Sequence, residues 1–145
     1  MTYSAHRNPC EEPALTDRQW ISVLRLAALW EFSSIKTKAI SNLQGVLDHD
    51  PLQAVLLADD PRIGLTEWMV PAVNALARRA APLSLDEVRT LGPELALKIM
   101  HVRERAFEGI ARIGSVWNDG ARKFVTLRRE TWDFTGDIRE VFHIR

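Results

Sequence analysis

Cysteine is nearly absent from this sequence, since Cys10 is the only one among 145 residues. A lone cysteine cannot form an intramolecular disulfide, so a small disulfide-stapled fold of the secreted type is excluded. Long hydrophobic runs are also missing. No uninterrupted apolar run approaches about 18 residues, and the start of the chain lacks the apolar segment of a signal peptide. These absences predict no membrane span and an intracellular protein, cytoplasmic or nuclear.

An excess of one charge is missing as well, because 19 lysines and arginines face 19 aspartates and glutamates. Proteins that bind nucleic acid usually carry a strong basic surplus, so the composition does not favour nucleic acid as the partner. The charges are unevenly distributed, however, with acids concentrated in residues 44–68 and bases in residues 120–145. The basic C-terminal segment therefore leaves a nucleic-acid-associated regulator open as the alternative function.

Motifs that carry enzyme chemistry are absent too. The four histidines are scattered, and no glycine-rich phosphate loop with its lysine and serine occurs. Asp48 and Asp50 resemble the start of a calcium loop, but Gln53 stands where that loop requires glycine. We therefore expect a protein that is not an enzyme, with no catalytic, cofactor-binding or metal-binding residues. Its expected partners are proteins of unknown identity.

Apolar residues at helical spacing are what the sequence has in abundance. Around residues 18–32 the clearly polar positions form one narrow stripe of Arg18, Ser22 and Arg25. Tryptophan, leucine, valine and alanine occupy most of the remaining circumference. A helix that is apolar on most sides is usually packed on most sides. We expect this helix to be the central element of a helical array, with Trp30 in the core.

The remaining pattern predicts an all-α protein of about six helices in antiparallel pairs. Capping boxes formed by Thr16 with Gln19 and by Ser84 with Glu87 indicate helix starts, as does Asp50 before a proline. Short links between successive helices favour antiparallel neighbours. A weak repeat of about 31 residues favours solenoid-like stacking.

Three segments are predicted along the chain. Residues 1–13 are polar and aperiodic, so we expect them to be disordered. Residues 14–113 carry the helical pattern and form the helical domain. Residues 114–145 are less regular, with a pattern typical of a short hairpin near their start. We expect this C-terminal segment to pack on the helical domain.

Aromatic and basic side chains are interleaved in the C-terminal segment and leave two interpretations open. The aromatic residues either fold back to close one end of the helical stack, or remain partly exposed and form a binding patch with the basic residues. The candidate interaction surface comprises Trp117, Arg122, Lys123, Arg128, Arg129, Trp132 and Phe134.

Several segments, taken in order, resemble a known family. They are residues 13–27 (PALTDRQWISVLRLA), 29–32 (LWEF), 35–40 (IKTKAI), 66–72 (TEWMVPA) and 82–87 (PLSLDE), followed by Leu91-Gly92, Lys98-Ile99 and Val102-Arg103-Glu104. This set is similar to the helical region that follows the BTB/POZ domain in basidiomycete fungal BTB proteins.

The resemblance implies a BACK-like array of helices acting as a protein–protein interaction or scaffold module. The BTB domain itself is not part of this chain, so dimerisation and cullin binding through such a domain are not implied.

Overall fold

The computed structural model describes residues 14–118, 120 and 122–145. It is mostly helical, which confirms the predicted fold class in its coarse form. Eight α-helices and one two-stranded hairpin occur within the described residues. The disorder predicted for residues 1–13 lies outside them.

The chain divides into two compact units, Met1–Leu43 and Gln44–Arg145. The smaller unit contains α1 (Asp17–Leu29) and α2 (Ser33–Asn42). The larger unit contains all the other elements, so the predicted boundary between residues 113 and 114 falls inside it.

The smaller unit is a pair of helices that contact each other along their length. The predicted capping box begins α1: Thr16 Oγ1 accepts from the Gln19 N–H, and the Gln19 side chain accepts from the Thr16 N–H. Two residues after the end of α1, the backbone of Glu31 is in the left-handed region at φ 58°. The Phe32 N–H then donates to the Ala27 carbonyl at 2.9 Å, which completes a Schellman-type cap.

The expectation that α1 is packed on several sides is wrong. Only Leu24 and Ala27 of α1 are buried. Trp30 is 61% exposed, and Leu26 and Leu29 are exposed as well. The ring of Trp30 meets that of Phe32 edge-on, with centroids 6.0 Å apart. The helical wheel correctly located the apolar surface of α1, but much of that surface remains in contact with solvent.

The larger unit begins with α3 (Val46–His49) and α4 (Pro51–Asp59), followed by a 3₁₀ turn at Thr66–Trp68 and α5 (Met69–Arg78). Then come α6 (Leu85–Leu91) and the long α7 (Pro93–Ile113). The hairpin pairs β1 (Ser115–Asn118) antiparallel to β2 (Lys123–Thr126). A 3₁₀ turn at Arg129–Thr131 leads to α8 (Thr135–Phe142).

The helix at the centre of the larger unit is α5, which contacts α3, α4, α7 and α8. Six of its ten residues are buried, as expected for a helix covered on most sides. Pro71 lies in its first turn, where the missing N–H costs no helical hydrogen bond. The end of this helix positions the site described below.

Hydrogen bonds of a buried side-chain amide on α5 connect this helix to the C-terminal segment. Asn74 is nearly fully buried, and its Oδ1 accepts from the Phe134 N–H at 3.0 Å. Its Nδ2 donates to Thr135 Oγ1 at 3.3 Å. Phe134 and Ile138 have no exposed surface. The segment thus contributes to the core of the larger unit through both apolar packing and a satisfied polar contact.

Candidate functional site: a groove lined by arginine and aromatic side chains

A groove of about 310 Å³ lies along α7 in the larger unit. Its walls come from the loop after α5, from one face of α7, and from the 3₁₀ turn that precedes α8. The lining residues are Ala80, Pro82, Leu83, Met100, Arg103, Glu104, Phe107 and Arg129. We call this set the α7 groove. It combines a largely apolar surface with two guanidinium groups.

Arg129 stacks on Phe107 inside the groove. Its Cζ lies 4.0 Å from the ring centroid, a cation–π geometry. Its Nη1 also donates to the Ala80 carbonyl at 3.4 Å. Phe107 is 53% exposed, so the other part of its ring faces solvent. The stack therefore presents a planar cation and an aromatic surface side by side.

Arg103 lies deeper and is only 8% exposed. Its Nη1 donates to the Leu76 carbonyl at 2.9 Å, and its Nη2 reaches the Ala80 carbonyl at 3.5 Å. Leu76 is in the last turn of α5, where carbonyls lack helical partners and the helix dipole favours a cation. The guanidinium of Arg103 is therefore bound by neutral backbone carbonyls in the last turn of α5 and just after it.

Charge around Arg103 is unbalanced. Burial lowers the pKa of its guanidinium, and the positive charges of Arg129 and Arg79 lower this pKa further. Within the part of the chain that the structure describes, neither Arg103 nor Arg129 forms an ion pair with a carboxylate. A buried charge without a counterion is costly, so this site favours an incoming anion.

Arg79, the third guanidinium, is neutralised by Glu87. The two side chains form a bidentate pair with N–O distances of 2.6 and 2.9 Å. The hydrogen bonds from Arg79 and from the Ser84 backbone lower the pKa of Glu87 to about 2. The same carboxylate completes the predicted capping box of α6 through the Ser84 N–H at 2.7 Å. This pair fixes the loop that forms one wall of the groove.

A second recess of about 480 Å³ adjoins the groove and shares Ala80, Phe107 and Arg129 with it. Ile110, Arg128 and Glu130 complete its lining. Two carboxylates, Glu104 in the groove and Glu130 in the recess, therefore lie among these cations. An extended polyanion bound along the cations would come close to these two carboxylates and be repelled by them. A single anionic group at Arg103 could bind without contacting either carboxylate.

The structure separates the residues that the sequence grouped as one surface. Arg129 lies in the groove and Arg128 in the adjoining recess. Trp117, Arg122 and Lys123 belong to the hairpin and its turn, and all three are exposed. None of these three side chains lines the groove or the recess.

Phe134 is not part of any surface, which corrects its inclusion among the interaction residues. It is fully buried, and its N–H donates to Asn74 of α5. Trp132 is half-buried, with its ring against Gly109 of α7, at 3.3 Å from the position that a Cβ would occupy. Its carbonyl accepts from Arg78 Nε at 2.9 Å. Phe134 thus contacts α5 through its backbone, and Trp132 contacts α7 through its ring.

Sequence reasoning missed Arg103 and Phe107, although a signal for Arg103 was present. Arg103 falls inside the apolar stripe of α7, four residues after Ile99 and next to Val102, both fully buried. An arginine within an apolar stripe is a candidate for a buried, functionally constrained charge. Phe107 had no comparable signal, because its role depends on Arg129 from a distant part of the chain.

Among the described residues, no group of three or more histidine, cysteine, aspartate or glutamate side chains could hold a metal ion. The described helices include none with the length and apolar character needed to cross a membrane. Comparison with family models, with curated proteins and with solved structures gave no match to this chain.

Proposed function

We propose that this protein is a non-enzymatic protein–protein interaction or scaffold module and that the α7 groove is its recognition surface. One observation carries the proposal: a buried, uncompensated Arg103 lies beside the exposed stack of Arg129 on Phe107 in an open groove. Arginine and aromatic residues in partly desolvated pockets dominate the binding energy of protein interfaces. The groove has this composition.

The resemblance to the helical region that follows fungal BTB domains favours the same class of function. Under this proposal the helices form a BACK-like, solenoid-like array of antiparallel pairs that presents the groove to a partner. Repeat-like helical arrays commonly use such surfaces to hold a segment of another protein.

The alternative, a regulator that binds nucleic acid through the basic C-terminal segment, has less support. Stacking on bases requires exposed aromatic rings near the cations. Of the three aromatic residues in the candidate surface of the C-terminal segment, Trp117 is exposed on the hairpin, whereas Phe134 is fully buried and Trp132 is half-buried. Arg129 is already stacked on Phe107. We therefore place the protein-binding function first.

A selection from a random peptide library on the purified protein tests the proposal. Peptides enriched on the parent protein should bind the Phe107→Ala variant at least about tenfold more weakly, because this change removes the aromatic surface and the support for Arg129. Leu97→Ala is the matched control, since Leu97 is on the same helix, is 65% exposed and lies outside the groove. Equal loss in both variants, or no enriched peptide that depends on Phe107, would contradict the proposal.

A further inference from the structure

We propose that the segment received by the α7 groove is acidic: the carboxylate of a glutamate or aspartate binds beside the Ala80 carbonyl and accepts from both Arg103 and Arg129, and an adjacent apolar side chain packs beside Phe107. This inference rests on the proposed function and identifies the chemistry of the partner. Nothing in the sequence motifs assigns such a site.

The two guanidinium groups converge on one point. Arg103 Nη2 and Arg129 Nη1 both lie within hydrogen-bonding range of the Ala80 carbonyl, at 3.5 and 3.4 Å. One neutral oxygen thus stands between two cations from different elements. A carboxylate has two oxygens and about four acceptor sites, so it can accept from both guanidiniums at once.

Charge complementarity favours an anion at this position. Arg79 is already neutralised by Glu87, whereas Arg103 and Arg129 have only backbone carbonyls and a ring as partners among the described residues. The like charges of Arg103 and Arg129 repel each other at low effective dielectric. A bound carboxylate replaces this repulsion with two charge-assisted hydrogen bonds.

The surroundings favour an acidic peptide over nucleic acid. Pro82, Leu83 and Met100 line the groove beside the cations, and this apolar surface suits an aliphatic side chain better than a continuous phosphate backbone. Glu104 and Glu130 lie along the path that a polyanion would follow. A peptide can place one carboxylate on the cations and neutral residues beside the two glutamates.

The test uses two short peptides with blocked termini that differ at one position, glutamate or glutamine, each followed by leucine. The Nε–Hε resonances of the arginines are followed by NMR during titration of the full chain. The glutamate peptide should shift the resonances of Arg103 and Arg129 and bind at least about tenfold more tightly than the glutamine peptide. Because the change is in the probe, the comparison does not depend on any variant of the protein.

Protein variants locate the effect. Arg129→Gln should remove most of the preference for glutamate, whereas Arg122→Gln, which changes an exposed cation of the hairpin turn, should leave it unchanged.

Equal affinity for both peptides, with binding that still depends on Phe107, would overturn the acidic-partner inference and leave the interaction module standing. If no peptide, including those from the library, binds in a way that depends on Phe107, the acidic-partner inference and the interaction module are both overturned. Displacement of the peptide by an oligothymidylate of about eight nucleotides, with a shift of the Arg122 resonance, would assign the surface to nucleic acid instead.

Discussion

Replacement of Phe134 by alanine should be among the most destabilising single changes in the larger unit. The ring has no exposed surface, and the Phe134 N–H donates to Asn74 of α5. Burial of an aromatic ring removes about 150–250 Å² from water, and truncation to alanine also leaves a cavity. We expect Phe134→Ala to lower the free energy of unfolding by about 3–5 kcal/mol.

Trp30→Ala provides the comparison, because the sequence pattern alone assigns Trp30 to the core. The side chain is 61% exposed, so about two fifths of its surface is buried. At about 25 cal/mol per Å² that area corresponds to an upper bound of about 2 kcal/mol, which residual burial in the unfolded chain reduces. We expect a loss of about 1 kcal/mol, part of it from the edge-on contact with Phe32.

Urea denaturation followed by far-UV circular dichroism measures both variants without relying on tryptophan fluorescence. The loss for Phe134→Ala should exceed that for Trp30→Ala by at least about 2 kcal/mol. Equal losses, or a larger loss for Trp30→Ala, would show that the buried residues have been assigned wrongly.

Three further changes test local features of the structure. Glu31→Gly should raise the free energy of unfolding by about 0.5–1 kcal/mol, since Glu31 has a φ of 58°; a thermal melt with no gain would contradict the cap. Asn74→Ala should lower it by about 1–3 kcal/mol in urea, because the buried Phe134 N–H loses its acceptor; a loss below that of an ordinary surface change would refute this role. Glu87→Gln should cost about 1–2 kcal/mol at neutral pH, allowing for solvent screening of its pair with Arg79. This contribution is present above the ordinary pKa of 4.5 and is lost as the pH falls towards about 2, so a difference from the parent that does not change with pH would exclude the ion pair as its cause.

Local features of the fold could be predicted from the sequence because their physics is local. The capping boxes that begin at Thr16 and Ser84 are present, and Asp50 caps α4 by accepting from the Gln53 N–H. Each depends on residues three positions apart. The ion pair of Lys98 with Glu94 on α7 belongs to the same class, with an N–O distance of 2.8 Å.

Burial could not be predicted in the same way. A helical wheel identifies which face of a helix is apolar, but the number of neighbours that cover this face depends on the tertiary structure. Hence α1 was expected at the centre, although Trp30 is exposed. For Phe134 the sequence left both burial and an exposed binding patch open, and the structure buries it beside Asn74. Asn74 and Phe134 are 60 positions apart in the sequence, so no local pattern connects them.

The groove was beyond sequence reasoning for a related reason. Its cations come from α7 and from the 3₁₀ turn before α8, and they meet at the carbonyl of Ala80 in a third segment. No spacing rule connects these positions. Arg103 inside an apolar stripe was the one available indication, and its partners became clear only from the packing of α7 against the end of α5.

The most direct test of the central claim is a structure of the protein bound to the glutamate peptide. We predict a peptide lying in the α7 groove, with its carboxylate about 3 Å from the guanidiniums of Arg103 and Arg129. Its leucine should contact the exposed face of Phe107. A peptide bound on the hairpin or on α1 and α2, with the groove unoccupied, would contradict the account.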